Sequence, residues 1–497
     1  MTTTTFAKED KVTPSSSKEE EEDRCGLYMA ISSTSTSDKT LWGLYVGKDI
    51  PAGQAITTPD LAVPILDLRA NNVLYGDTVD ETLQEQLYQT VEYLEESFWV
   101  PDSMGGKFEM VRQEDENEED PIPPVLIAAL NGCGFLGAYN TKFTNADWNH
   151  QTAYRGKLPP ESSSTSTTTT TTTSKQVSHP NRGAISSFYN VELQNIFHHD
   201  YISAGQELFV NYGSSYEEDE GDAKLTNNDY AKMDQTVEQM LAFFDKHQDT
   251  LATKESGKQE IYNFLIQDVL QAALGREKAQ KLASALPSKP DLLDKVKDAG
   301  GVLAYSHPDV IRKLDWLEQH GVCVDNLQVG PSTIPHAGRG AFATRKLSKG
   351  SVITTTPLLQ IPMRSVLDMH EGLVLNEQQW EMARPVDAPV TGQQLLLNYC
   401  WGHPSSTLLL YPTAPTVGFI NHANTPKQVN AKLVWSNHPA NQAKSWFDVD
   451  PMELVDEDHA YLGLLMDIVA TQEIQPGDEI LLDYGKEWEA AWNEHTK

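Results

Sequence analysis

The chain has 497 residues, of which 39% are hydrophobic and 22% charged, and it carries a net charge of −33. Its length suggests two or three domains of roughly 150 residues each. No apolar run approaches the roughly 20 residues that span a bilayer, and so acidic a surface excludes nucleic acid as an expected ligand. The runs Glu19–Asp23, Glu114–Asp120 and Glu217–Asp222 hold 16 acids, so about −17 is left for everything else. Solvated loops explain such runs; attraction of a basic partner, such as a Lys-rich protein tail, is the functional alternative.

From the start, residues 1–40 are rich in Ser, Thr, Lys and Glu and are expected to form a disordered acidic tail. They lack the basic-then-apolar order of a secretory signal. A soluble intracellular protein is expected, with nucleus and cytoplasm both open. Residues 41–222 contain short apolar segments broken by Gly and Pro, as in small β domains, with a Ser/Thr insertion at Ser162–Ser174. Residues 223–325 turn helical. Met233, Val237, Met240, Leu241 and Phe244 recur at three- and four-residue spacing, as do Tyr262, Leu265, Ile266, Val269 and Ala273. Pro308 is read as opening a third helix that Gly321 closes, with Ile311, Leu314 and Leu317 on one face. Residues 326–497 are again β-rich. Cys25, Cys133, Cys323 and Cys400 are far apart, without a C-x-x-C pair or a histidine cluster. Reduced thiols are therefore expected, with neither a disulfide framework nor a zinc site.

An internal echo links the two β-rich parts. Trp42–Val46 followed by DIPAGQAI matches Arg339–Ala343 followed by KLSKGSVI without a gap; Gly134-Phe135-Leu136 matches Gly418-Phe419-Ile420; and AGQELFVNYG, ending at Gly213, matches PGDEILLDYG, ending at Gly485. Trp42 to Tyr212 spans 170 positions against 145 from Arg339 to Tyr484, and the first part's acidic and Ser/Thr loops absorb the difference of 25. These matches predict a duplication.

Taken singly, the motifs have plain readings. Gly-Arg-Gly is a tight turn, Asn421-His422 a turn and cap, and Asp483-Tyr484-Gly485 a strand end. No strand–GxGxxG–helix unit supports a Rossmann site. In this order, however, GRGAFA at 338–343, FINHA from 419 and GDEILLDYG at 477–485 resemble the SET-domain family of protein lysine methyltransferases. Two departures stand out: Pro426 and Asn430 are separated where the family has a Pro-Asn pair, and Ala423 stands where Ser is usual.

The resemblance implies an α+β, β-rich SET-like fold in two copies joined by a helical segment. It implies S-adenosylmethionine as cofactor, with Gly338, Arg339 and Gly340 near its methionine part and Asn421 and His422 toward its amine and adenine. Tyr484 becomes the catalytic residue, a protein the substrate, possibly a basic one, and no metal is required. The same pocket could admit another side chain such as histidine, and a catalytically silent peptide-binding scaffold is the alternative from outside the enzymes. In the first copy the gapless match sets Gly137-Ala138 against Asn421-His422 and Trp42 against Arg339, which predicts a degenerate module that still carries Tyr212. The region from Trp380 to Tyr399 falls where the family's variable insert shapes a substrate groove, so Trp380, Tyr399 and Trp401 are groove candidates. Trp488 is a candidate cover for the site.

Overall fold

Ten consecutive residues, Val352–Ile361, form a strand that is buried almost throughout, because VITTTPLLQI offers β-branched and apolar side chains to both faces. Two of its three threonines satisfy their hydroxyls: Thr355 donates to Asp467 at 2.7 Å, and Thr356 to the Pro357 carbonyl at 2.9 Å, whereas the buried Thr354 hydroxyl has no partner among the described residues. This strand is central in an antiparallel five-stranded sheet ordered Trp401–Gly402, Leu409–Pro412, Val352–Ile361, Leu464–Ala470, Ala431–Trp435. The computed structural model describes residues 24–98, 126–132, 136, 138–139, 144–148, 188–189, 193–195, 201–210, 227–251, 257–376, 381–402, 408–439, 441, 450–455, 464–486 and 488–490, apart from gaps at 37–39, 58–59, 77 and 336. The three acidic runs, Ser162–Ser174, Gly137, Tyr212 and Trp380 lie outside the described residues.

The architecture is α+β, as expected from the sequence. Before the helical region, the strand Leu61–Leu66 is central between Leu126–Leu130 and Phe188–Tyr189. A helix not anticipated from the sequence, Glu81–Ser97, starts where the Asp80 carboxylate accepts from the Thr82 and Leu83 N–H groups. It buries Leu87, Val91 and Leu94, and Phe98 at its end meets the Tyr411 ring edge-on at 5.7 Å. One core runs through both β-rich parts, taking Leu61, Val63 and Ile65 from the first and Ile353, Ile361 and Leu367 from the second.

Cross-chain pairing continues this mixing. Leu74–Tyr75 lies parallel to Arg384–Pro385. Gln394 behaves as a strand neighbour, its Oε1 accepting from the Leu66 N–H at 3.1 Å and its Nε2 donating to the Leu66 carbonyl at 2.6 Å.

Three expectations are corrected. The acidic tail gives way before residue 40: Leu27–Ile31 is a strand paired with Trp42–Val46 on one side and Val322–Cys323 on the other. That second pairing sets Tyr28 opposite Cys323, and Cys25 and Cys323 form a disulfide with Cα atoms 5.8 Å apart, against the expectation of reduced thiols. A separation of 298 positions hid it from the sequence. Donor atoms of Cys25, Cys323 and Asp325 lie within 4.8 Å of one another, but the Arg345 guanidinium, 2.9 Å from the Asp325 carboxylate, takes the place a cation would need.

The third correction concerns the helices. Asn227–Lys246 forms as predicted and buries Met233, Val237, Met240 and Phe244. Gly257–Phe264 is followed by a π-helical stretch, Leu265–Val269, whose wider turn rotates the apolar face, so that Val269 is exposed and Leu270 is buried. The last helix begins at Leu314 and not at Pro308: Ile311 is held in a bridge to Gln206, and the Arg312 N–H donates to the Gly205 carbonyl at 2.8 Å. Gly321 does cap it, donating to the Leu317 carbonyl at 2.8 Å.

Candidate functional site

The strands Leu327–Pro331 and Arg339–Ala343 form a hairpin closed by the Ser332 N–H donating to the Gly338 carbonyl at 3.0 Å. Gly338 takes φ +74°, and nothing lies within 4 Å of where a Cβ would stand, so its outer side is open to a ligand. Gly340 is buried, and a Cβ there would collide with the Glu479 carboxylate.

Glu479, only 6% exposed, ties the motifs together. It accepts from the Ser332 hydroxyl at 2.6 Å, the Thr333 N–H at 2.6 Å, the Thr333 hydroxyl and the Asn421 amide at 3.1 Å. The Asn421 amide also donates to the Arg339 carbonyl at 2.7 Å, so two motifs 82 positions apart meet directly. Asn421-His422 lies parallel to Leu481-Leu482, which brings in the third motif. Asn430 locks that pairing, donating to the Glu479 carbonyl at 2.7 Å and accepting from the Leu481 N–H at 2.8 Å.

Beyond the paired strands the Tyr484 N–H donates to His422 Nδ1 at 3.0 Å, which fixes the proton on Nε2 in the neutral ring. The rings of His422, Tyr484 and Trp488 lie 4.9–5.5 Å apart, forming one aromatic cluster. The Tyr484 ring is 38% exposed, but its hydroxyl end is enclosed and donates to the Ile420 carbonyl. Burial pushes the hydroxyl's pKa well above its usual range, and Tyr399 adds to the effect. The Arg339 guanidinium sits over the Phe419 ring, 4.8 Å from its centre. All six residues singled out in the sequence, Gly338, Arg339, Gly340, Asn421, His422 and Tyr484, therefore belong to one connected region. Trp401 packs instead into the hydrophobic core clusters.

The first β-rich part builds a similar set of contacts around Glu207, with a tyrosine hydroxyl where Glu479 has the Asn421 amide. It accepts from the Ser32 hydroxyl at 2.5 Å, the Ser33 N–H at 3.0 Å and the Tyr45 hydroxyl at 3.1 Å, and a Cβ on Gly43 would strike it. Asn145 donates to the Glu207 carbonyl at 2.7 Å and accepts from the Phe209 N–H at 2.9 Å, as Asn430 does in the second part. Burial raises the Glu207 pKa against the hydrogen bonds that lower it. Phe209-Val210 pairs parallel with Ala138-Tyr139. This register sets Ala138 against Asn421 and Tyr139 against His422, one residue on from the Gly137-Ala138 of the gapless match. Trp42, at the place of Arg339, meets the His438 ring at 5.4 Å.

Glu479 and Asn430 were missed as functional candidates. A signal was present: Glu207 and Glu479 occupy the same place in AGQELFV and PGDEILL, each directly before an apolar run.

No family model matches the chain, and no curated protein matches it. Among solved structures it is similar to the crystal structure of the Plasmodium falciparum putative histone methyltransferase, at 20% identity over 33% of this chain and 96% of that chain, with a TM-score of 0.18.

Proposed function

We propose that the chain is an S-adenosylmethionine-dependent protein methyltransferase of SET type, acting on lysine through residues 326–497. The observation that carries this reading is the union of three motifs in one hydrogen-bonded unit: Asn421 on the Arg339 carbonyl, and Tyr484 on His422. The residues suit the cofactor. Gly338 leaves its backbone open, and the His422–Tyr484–Trp488 cluster offers π faces to a cation. Gly338, Arg339 and Gly340 would hold the amino-acid end of the cofactor, and Asn421 and His422 its amine and adenine. When bound, S-adenosylmethionine supplies a methyl group activated on a sulfonium.

The protein's own part is positioning and proton control. A lysine must be neutral to attack, although its free pKa is about 10.4, and exclusion of water lowers that value. Tyr484 keeps its proton because burial raises its pKa, so its hydroxyl orients the amine as a neutral group and adds no charge that would favour the ammonium form.

The recurrence of the Glu479 contacts around Glu207 supports reading Trp42–Val210 as a second SET-like copy. Ala138 at the Asn421 position supports its being cofactor-free. A silent peptide-binding scaffold is favoured by one observation: the Asn421 amide is already engaged by Ser332, Arg339 and Glu479. Calorimetric titration with S-adenosylmethionine decides between the two, with one equivalent per chain expected and no binding ruling out the enzyme. Labelled-cofactor methylation of a cell protein extract then identifies the modified residue; label on histidine in place of lysine would overturn the substrate assignment.

A further inference from the structure

The first β-rich part reaches the loop of the Asn-His pair through a buried carboxylate. Asp60, 7% exposed at the entry to Leu61–Leu66, accepts from the Leu61 N–H at 2.7 Å and, 356 positions on, from the Thr416 N–H at 2.8 Å. Thr416 has φ 66°, a conformation that side-chain-bearing residues rarely keep unless their surroundings impose it. It starts the short 3₁₀ turn Val417–Phe419, which delivers Ile420, Asn421 and His422.

The contacts around that turn leave no slack. A Cβ on Gly418 would come within 2.6 Å of Leu61 Cδ2, and one on Gly132 within 3.1 Å of Pro415 Cα and against the Asp60 carboxylate. Phe419 in the same turn carries the Arg339 guanidinium, whose charge acts back on Asp60. Asp60, Thr416, Phe419 and Arg339 thus close a ring between the two parts of the chain.

We propose that Asp60 is a positioning residue for the methyl-transfer site, its carboxylate pinning the Thr416–Phe419 turn and so setting where Ile420, Asn421 and His422 meet the cofactor. This rests on the functional reading above. It also gives the first β-rich part work that requires no cofactor of its own: it supplies the anchor against which the second part's loop is held.

The charge of Asp60 makes the role measurable. Burial pushes its pKa up to about 6, against the Thr416 and Leu61 N–H groups and Arg339, which pull it down. The carboxylate is therefore charged at pH 7.5 and largely neutral at pH 5.5, where its bond to the Thr416 N–H loses its charge assistance. Leu61, Gly132, Pro415 and Thr416, which pack around it, carry no charge; Arg339 does.

The test is calorimetric titration of the full chain with S-adenosylhomocysteine between pH 7.5 and 5.5, for wild type and Asp60→Asn. Wild type is expected to lose affinity about threefold toward pH 5.5, since about a quarter of the Asp60 carboxylate stays charged there. Asp60→Asn should bind at least fivefold more weakly at pH 7.5 and lose less than wild type on acidification. An Asp60→Asn protein with wild-type affinity and the wild-type acid loss overturns the proposal. Absence of binding by wild type at every pH overturns the methyltransferase reading itself. Amide exchange of Thr416 in the unsubstituted protein covers the case in which the variant does not fold: protection should fall toward pH 5.5 after correction for intrinsic rate, and constant protection overturns the proposal.

Discussion

Two glycines two residues apart in one motif are constrained for opposite reasons. Gly338 is required by its backbone, at φ +74° with open space around it, whereas Gly340 is required by the Glu479 carboxylate beside it. Gly338→Ala should therefore cost about 1 kcal/mol of backbone strain, and Gly340→Ala about 2–3 kcal/mol of overpacking, both read from urea unfolding. Glu479→Ala leaves the Ser332 hydroxyl and the Thr333 N–H and hydroxyl without their carboxylate acceptor and should cost about 3 kcal/mol by the same measurement. Asp60 predicts a pH effect of definite sign. Its folded pKa of about 6 lies above the ordinary 3.8, so its contribution to stability is present below that lower value and is lost as pH rises through about 6. The full loss amounts to about 3 kcal/mol, and the unfolding free energies of wild type and Asp60→Asn should diverge by about 2–2.5 kcal/mol between pH 4 and 7. The residues touching the proposed ligand were legible because the motifs name them. Asn430 and Asp60 were not, since their work is done on backbone atoms and leaves no local pattern, and Glu479 showed only through its echo at Glu207.

Periodicity served well for elements whose partners are near in sequence. Met233, Val237, Met240 and Phe244 are buried along Asn227–Lys246 because the helix keeps regular 3.6-residue turns. The second helical pattern drifted at Leu265–Val269, where the π-helical turn changes the count by about one residue. Leu270→Ala is accordingly expected to cost about 2–4 kcal/mol, whereas Val269→Ser should stay within about 0.5 kcal/mol, both measured by chemical unfolding. A reading that kept one unbroken apolar stripe would give the reverse order. The helix assigned from Pro308 failed for another reason: Ile311 and Arg312 are claimed by Gln206 and Gly205, about a hundred positions earlier, and no local pattern reports so distant a demand. Strand partners such as Leu74–Tyr75 and Arg384–Pro385 were illegible on the same ground.

Across the whole molecule, the two β-rich parts share one core and exchange strand contacts, so neither is a detachable bead. Residues 326–497 expressed alone should lack a cooperative unfolding transition in circular dichroism, because the faces that meet Leu61, Val63 and Ile65 would be left open to water. The Cys25–Cys323 bond closes a loop of 298 positions, long enough to place its stabilisation near the upper end of about 5 kcal/mol. Reductant should lower the urea midpoint of wild type, while a Cys25→Ser variant starts lower and no longer responds. The pairing of Leu27–Ile31 with both Trp42–Val46 and Val322–Cys323 also sets a timetable for biosynthesis. A ribosome adding about 5–20 residues per second needs about 15–60 s between making that first strand and its last neighbour. Through that interval the nascent chain displays an unpaired strand edge, which is where a chaperone would be expected to sit until synthesis catches up.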